Sequence, residues 1–299
     1  MPDKTNTIVE NVTYCDYKFK PWYSSPGYFE DSKSKVPGPN STIWDKEKLE
    51  GAVSQSHTLH VCDHCFKYSV DEVKLIGHKH MCNYATNLPG QVVYDDFEYK
   101  IYQVDGRQHK LFCQCLCLFG KLFLDSKSIY YTVEDFHFFL LVESIGKQRI
   151  VGFFSREKVS WDDCNLACLL VFPPFQKRGL GRLLIAFSYH LSLAANKIGS
   201  PERPLSEHGL GSYRSYWVIA ISQVILRLKS STITCDEISA QTGIEPGDVM
   251  DTLEYMGALS SETDGSQRTS ILVGTIRQFV ASHNISIKPI INKKHCFSV

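Results

Sequence analysis

The spacing Cys62-x2-Cys65-x12-His78-x3-Cys82 constrains what this chain can fold into more than any other feature. Two thiols from one turn and a His/Cys pair carried by a following helix can close around zinc, which favours thiolate and imidazole in tetrahedral geometry. Four protein ligands leave no open position, so the ion expected here is structural. His64 and His80 are rival ligands, and His78 is preferred because its intervals to Cys65 and Cys82 both fit a helix-borne pair. The plainer alternative is four unlinked residues in a chain holding 11 cysteines. The opening MPDKTNTIVE has no apolar stretch of the signal-peptide kind, so a reducing compartment, cytosol or nucleus, is expected, with thiols as ligands or buried groups rather than disulfides. No apolar run approaches the roughly 18 residues of a membrane span. The 32 basic side chains are balanced by 32 acidic ones, and a lone finger flanked only by Lys67, Lys74 and Lys79 makes direct DNA contact weak or absent.

Around the finger, residues 1–55 read as an arm that packs on the core, because Trp22, Tyr23, Tyr28 and Phe29 sit among its turn residues. Residues 56–110 form a finger and strand region, with alternating apolar residues over 92–104 and a turn at Asp105-Gly106. Apolar strands are predicted over 136–142, 150–154 and 165–172, and a helix over 182–197. Cys113, Cys115 and Cys117 alternate as on a strand and read as packing residues. Helical periodicity returns over 213–228, then two short helices, 235–241 and 246–256, flank a glycine turn as in helix-turn-helix modules. Residues 260–299 read as short strands and a tail.

A second motif joins a strand to a helix: NLACLLVF, two prolines, then Gln176-x-x-Gly179-x-Gly181 opening a helix. Unpaired amides at the positive end of that helix suit a pyrophosphate, with Lys177, Arg178 and Arg182 as nearby cations. The Gly-Lys-Ser/Thr of a Walker loop and the three-glycine dinucleotide fingerprint are both missing. What remains is the acyl-CoA turn of acetyltransferases, although a plain strand-to-helix turn has the same outline.

Taken in order, the finger, YQVDGRQHKLFCQCLCLFGKLFLDSKSIYY, IVGFFSREKVS, NLACLLVFPPFQKRGLGRLLIAFSY, GSPERPLSEHGLGSYRSYW and the C-terminal helical unit resemble the MYST family of histone acetyltransferases over residues 10–260. The variants VCDHCFKY, LFCQCLCLF and LDSKSIYY are most similar to the fungal silencing-associated branch. The resemblance implies an α/β fold with a GNAT-like acetyltransferase core. An acetyl-CoA-binding catalytic core over 111–210 would be followed by a helix-turn-helix-like module over 211–299. It implies a nuclear, chromatin-bound enzyme that acetylates the sixteenth residue of histone H4, working on the tail or the nucleosome beside noncatalytic subunits of a silencing complex. Glu202 falls at the family's general base and Cys168 at its active-site cysteine. Leu169, Leu170, Val171, the turn Lys177, Arg178, Gly179, Leu180, Gly181, Arg182, and Ser206 and Ser215 fall at acetyl-CoA contacts, and Lys127 at the self-acetylated lysine. His190 stands where the family commonly has glutamate.

The chemistry demands such a base. A free lysine titrates near 10.4, so fewer than about 1 in 1000 are nucleophilic at neutral pH. Glu202, between Pro201 and Pro204, is expected to be partly desolvated and shifted toward a useful pKa; the ordinary alternative is a glutamate at a helix start. Direct attack by the amine on the thioester, with Cys168 lining the site, is preferred over a covalent acyl-cysteine cycle. Backbone amides near 168–171 are candidate donors to the thioester oxygen. Residues 190–265 hold ten acidic and five basic side chains, which suits a basic peptide as well as it suits a solvated face. The rival from another class is a catalytically silent chromatin scaffold or a DNA-binding finger protein.

Overall fold

The computed structural model describes residues 9–23, 57–125, 131–227, 233–261 and 269–297. It is a mixed α/β chain that divides into two compact units, Met1–Lys158 with Leu170–Gln176, and Val159–Leu169 with Lys177–Val299. Among the described residues no helix is long and apolar enough to cross a membrane.

In the first unit, β1 (Val9–Tyr14), β2 (Tyr17–Phe19), β3 (His57–Val61) and β4 (Tyr68–Ser69) form a sheet in the order β2-β1-β3-β4, with β1 and β3 parallel. Helix α1 (Glu72–His80) follows, started by the Asp71 carboxylate, which accepts from the Lys74 amide. A larger sheet runs β5 (Gln91–Asp95), β6 (Tyr99–Asp105), β7 (Phe136–Glu143), β8 (Arg149–Glu157) and β9 (Cys168–Val171). The middle of β7 and most of β8 is buried on both faces, which is why FHFFLLVE and RIVGFFSRE are nearly continuous apolar runs. Phe139 and Phe154, paired across the two strands, stack at 4.5 Å. Gly152 is required where β8 meets β9: a Cβ there would lie 2.7 Å from the Leu170 carbonyl oxygen.

The cysteine-rich run is helix α2 (Lys110–Lys121), not a strand. Its leucines and cysteines include no β-branched residue, and Phe112, Cys115, Leu116 and Phe119 recur at helical spacing. Cys113, Cys115 and Cys117 are all buried, and burial pushes the Cys115 thiol up to about 12, so packing is indeed their role. Phe119 joins Tyr14, Phe66 and Phe172 in one aromatic cluster with centroids 4.9–5.8 Å apart, and the Tyr14 hydroxyl donates to the Ile150 carbonyl. Each such ring contributes on the order of 2 kcal/mol by leaving water, so the short strand β1 is held by its side chains as well as its ladder. The β5–β6 connection falls at Asp96–Glu98, and the turn expected at Asp105-Gly106 follows β6 and leads toward α2. Of the aromatic residues in the arm, Tyr28 and Phe29 lie outside the described residues.

The second unit is helical: α3 (Leu180–Ala194), α4 (Glu207–Arg227), α5 (Cys235–Thr242), α6 (Pro246–Tyr255) and α7 (Val273–Ser282), with the hairpin β10 (Leu259–Ser261) and β11 (Thr269–Ile271) before α7. Helix α4 packs against each of the other four. Tyr189 of α3 stacks on Tyr216 at 5.0 Å and accepts from the Trp217 indole at 2.8 Å. Thr234 and Glu237 form a reciprocal capping box at the start of α5. Helix α7 lies in the stretch read as strands and a tail; its first residue follows Leu272, which offers no side-chain cap, so its start carries no sequence signal.

Candidate active site and metal centre

The finger builds its centre from three short pieces. Cys62 and Cys65 lie on the turn between β3 and β4, closed by the Cys62 amide on the Lys67 carbonyl and the Phe66 amide on the Cys62 carbonyl. His78 stands in the last turn of α1 and Cys82 just beyond it. The four ligand atoms lie within 4.8 Å of one another, and the grouping takes His78 rather than His64 or His80. His78 Nε2 is 3.2 Å from Cys65 Sγ. Hydrogen bonding from Cys65 pulls the Cys62 thiol down to about 5, and the same bond pushes Cys65 up. Three cysteine sulfurs and an imidazole facing one point fit a divalent cation that replaces the thiol protons, so the donor set suits zinc. Leu75 and Tyr84 pack around it, and Lys79 pairs with Asp63 at 2.6 Å.

In the second unit the turn before α3 has left-handed backbone at Lys177 (φ 63°) and Gly179 (φ 80°). Only at Gly179 is the residue free of side-chain strain in that region. Gly179 is the N-cap and offers no side chain, so the first amides of α3, at Leu180, Gly181 and Arg182, are left open to an anion. Lys177 and Arg178 are exposed, whereas Arg182 is half-buried and reaches Ser215 of α4 at 3.4 Å. Ser206 accepts from the Gly209 amide and so closes the start of α4.

Glu202 lies on an irregular segment between α3 and α4, five residues before α4 begins, so it is not a helix-start residue. That segment is moored by a parallel bridge between Cys164 and Ser200, by the Asn165 amide on the Ser200 carbonyl, and by the Gly199 amide on the Gly243 carbonyl. Because the bridge is parallel, both chains leave it in one direction: Cys168 is four residues along one and Glu202 two along the other. The structure differs from expectation in one respect. Glu202 is exposed, because Pro201 turns inward and is buried while the residues after it face outward; the partial desolvation expected from the two prolines is not supplied by them. Cys168 and Leu169 are half-buried, Leu170 and Val171 buried. His190 is half-buried on α3; burial, then the Lys293 charge, lowers its pKa. Lys127 lies outside the described residues.

Sequence reading missed Asp248. It belongs to the first turn of α6, is 1% exposed, and accepts from Ser200 Oγ at 2.9 Å and from the Arg203 guanidinium, residues on either side of Glu202. No local signal marks it, since its partners are 48 and 45 residues away.

The profile of the family described as MOZ/SAS matches residues 87–296. Histone acetyltransferase SAS2 of Saccharomyces cerevisiae is 40% identical over 245 residues, covering 81% of this chain and 72% of that protein. Histone acetyltransferase mst2 of Schizosaccharomyces pombe is 37% identical over 85% of this chain and 57% of its own length. Histone acetyltransferase MOF of Drosophila melanogaster is 38% identical over 83% of this chain and 27% of its own length. A match over most of the chain, together with this similarity to several acetyltransferases, shows that the protein belongs to the MOZ/SAS, or MYST, family of lysine acetyltransferases, which use acetyl-CoA.

Proposed function

We propose that this enzyme transfers acetyl from acetyl-CoA to a lysine of a histone tail, with the sixteenth residue of histone H4 as its main target, in the nucleus and in the service of silencing or transcription control. The observation that carries this reading is the similarity to histone acetyltransferase SAS2 over 81% of the chain, with the Glu202 segment moored beside the stretch that leads to Cys168. Residues 111–210 act as a GNAT-like catalytic core, 56–110 as finger and strand support, 1–55 as a packing arm and 211–299 as a helix-turn-helix-like module. Noncatalytic subunits of a silencing complex present the nucleosome, and direct DNA contact by the finger is weak.

In this reading Glu202 accepts the proton of the substrate ammonium and the freed amine attacks the thioester carbon directly. Tetrahedral collapse expels the CoA thiolate, which takes up a proton. Cys168 lines the site, and amides near 168–171 face the developing oxyanion. The exposed carboxylate of Glu202 would gain its desolvation from the bound substrates. The amides of Leu180, Gly181 and Arg182 hold the diphosphate, with Lys177 and Arg178 as cations; Leu169, Leu170 and Val171 line the pantetheine path, and Ser206 and Ser215 add hydroxyl contacts. Lys127 is a self-acetylation site. Zinc on Cys62, Cys65, His78 and Cys82 holds the finger and takes no part in transfer.

Calorimetry with acetyl-CoA, combined with acetylation of an H4-tail peptide and of the same peptide with its sixteenth residue changed to arginine, tests the reading. Binding and acetylation that the arginine peptide loses are expected. Neither binding nor transfer, with partner subunits present, would instead make the chain a scaffold. Cys168→Ala separates the two chemistries: near-complete loss of turnover with normal acetyl-CoA binding would favour an acyl-cysteine step.

A further inference from the structure

The C-terminal helices contain a buried charge that the chemistry above does not use. Asp248 is 1% exposed, although an unpaired carboxylate at that depth is strongly disfavoured. Its hydrogen-bonding partners come from the segment that carries Glu202. Oδ2 accepts from Ser200 Oγ at 2.9 Å and Oδ1 accepts from Arg203 Nη2, and its own position in the first turn of α6 adds the favourable end of a helix dipole. Ser200 is two residues before Glu202 and Arg203 one residue after it. Upstream, backbone bonds from Asn165 and to Gly243 also hold the segment; beyond Glu202, Arg203 carries the tether. The neighbours of this carboxylate are Arg203, Glu245 and, across α3 and α4, Tyr189 and Tyr213.

We propose that Asp248 is a positioning residue for acetyl transfer: by gripping Ser200 and Arg203 it clamps both sides of Glu202 and sets where that carboxylate points. The inference rests on the reading of Glu202 as the base. It gives the C-terminal helical module a direct part in catalysis, since α6 carries the clamp. An exposed base on an irregular segment is not fixed by burial, and misplacement by about 1 Å can cost on the order of 100-fold in rate.

The test compares Asp248→Asn, Asp248→Glu and Arg203→Lys with Glu202→Gln in the full chain, using acetyl-CoA and an H4-tail peptide. Asp248→Asn removes the charge, leaving Arg203 a neutral amide oxygen and weakening the charge-assisted bond; kcat should fall by about 10- to 100-fold with both KM values within about 2-fold, and the acid limb of the kcat profile should move. Asp248→Glu should restore part of the rate. Placed on top of Glu202→Gln, Asp248→Asn should cost nothing further. Should Asp248→Asn fail to fold, Arg203→Lys serves instead, since Arg203 is largely solvated; it should lower kcat several-fold and show the same non-additivity. Wild-type kcat in a folded Asp248→Asn variant, or an undiminished loss in the Glu202→Gln background, overturns the inference. A harmless Glu202→Gln removes the base itself, and a damaging Glu202→Gln beside a harmless Asp248→Asn removes only the clamp.

Discussion

The finger between Cys62 and Cys82 and the segment from Gly199 to Ser206 are both short and polar, yet they are anchored in opposite ways. The finger draws its four ligands from one stretch of chain, so a single ion can organise it. The segment that carries Glu202 draws its anchors from Asn165, Gly243 and Asp248, each far away in sequence. A self-contained node survives changes elsewhere in the fold, whereas a borrowed one fails when any lender moves.

The largest expected effect follows from the finger. A structural zinc ion contributes roughly 10–16 kcal/mol of apparent folding free energy in isolated fingers. Cys62→Ser should therefore abolish stoichiometric zinc, measured by metal analysis, and strip amide-exchange protection from 57–84. Protection near Ser200 should persist; its loss would mean that the finger is not self-contained. Next in size, Glu202→Gln should lower kcat by at least about 100-fold at neutral pH and recover partly at high pH, where the substrate amine is already free. Unchanged activity would remove Glu202 as base.

A smaller effect is expected at Ser200→Ala, which removes one donor to Asp248 and leaves Arg203 in place. Stability should drop by about 1–3 kcal/mol in urea titrations, because a buried acceptor loses a partner, and kcat by a few-fold. A drop in stability with no change in kcat would separate clamp from catalysis. The smallest effect belongs to the first unit, where Asp105 is exposed enough for water to screen it. Burial pushes its carboxyl up, but the Lys158 ammonium and the Arg107 and Gln108 amides outweigh this and hold it at about 2. Its contribution is thus present above the ordinary carboxylate pKa of about 4 and lost as pH falls through about 2. Asp105→Asn should cost about 1 kcal/mol or less at pH 7, a deficit that shrinks toward pH 2; a deficit independent of pH would exclude the charge as its source.

Legibility tracked the range of the interactions. The grouping of Cys62, Cys65, His78 and Cys82 was readable because its spacing is a property of one turn and one helix. The two short helices after residue 234 were readable because Thr234, Glu237, Gly243 and Pro246 mark their ends locally. Strands β7 and β8 were readable because burial on both faces leaves a continuous apolar run. The alternation at Cys113, Cys115 and Cys117 misled, since a helix buried on nearly all sides also shows every second residue inside. Asp248 went unseen because its charge merged with the acidic surplus of the C-terminal region, and Glu202 was expected in a drier place than it occupies.

Residue order alone therefore sufficed for the family and for the Cys/His grouping of the finger, because both are written in spacings that backbone geometry preserves. Where Glu202 stands, and what holds its segment, depended on the closing of α6 onto the chain near Ser200. That contact spans more than forty residues, and its strength comes from burying a carboxylate against two donors, a condition no local pattern encodes.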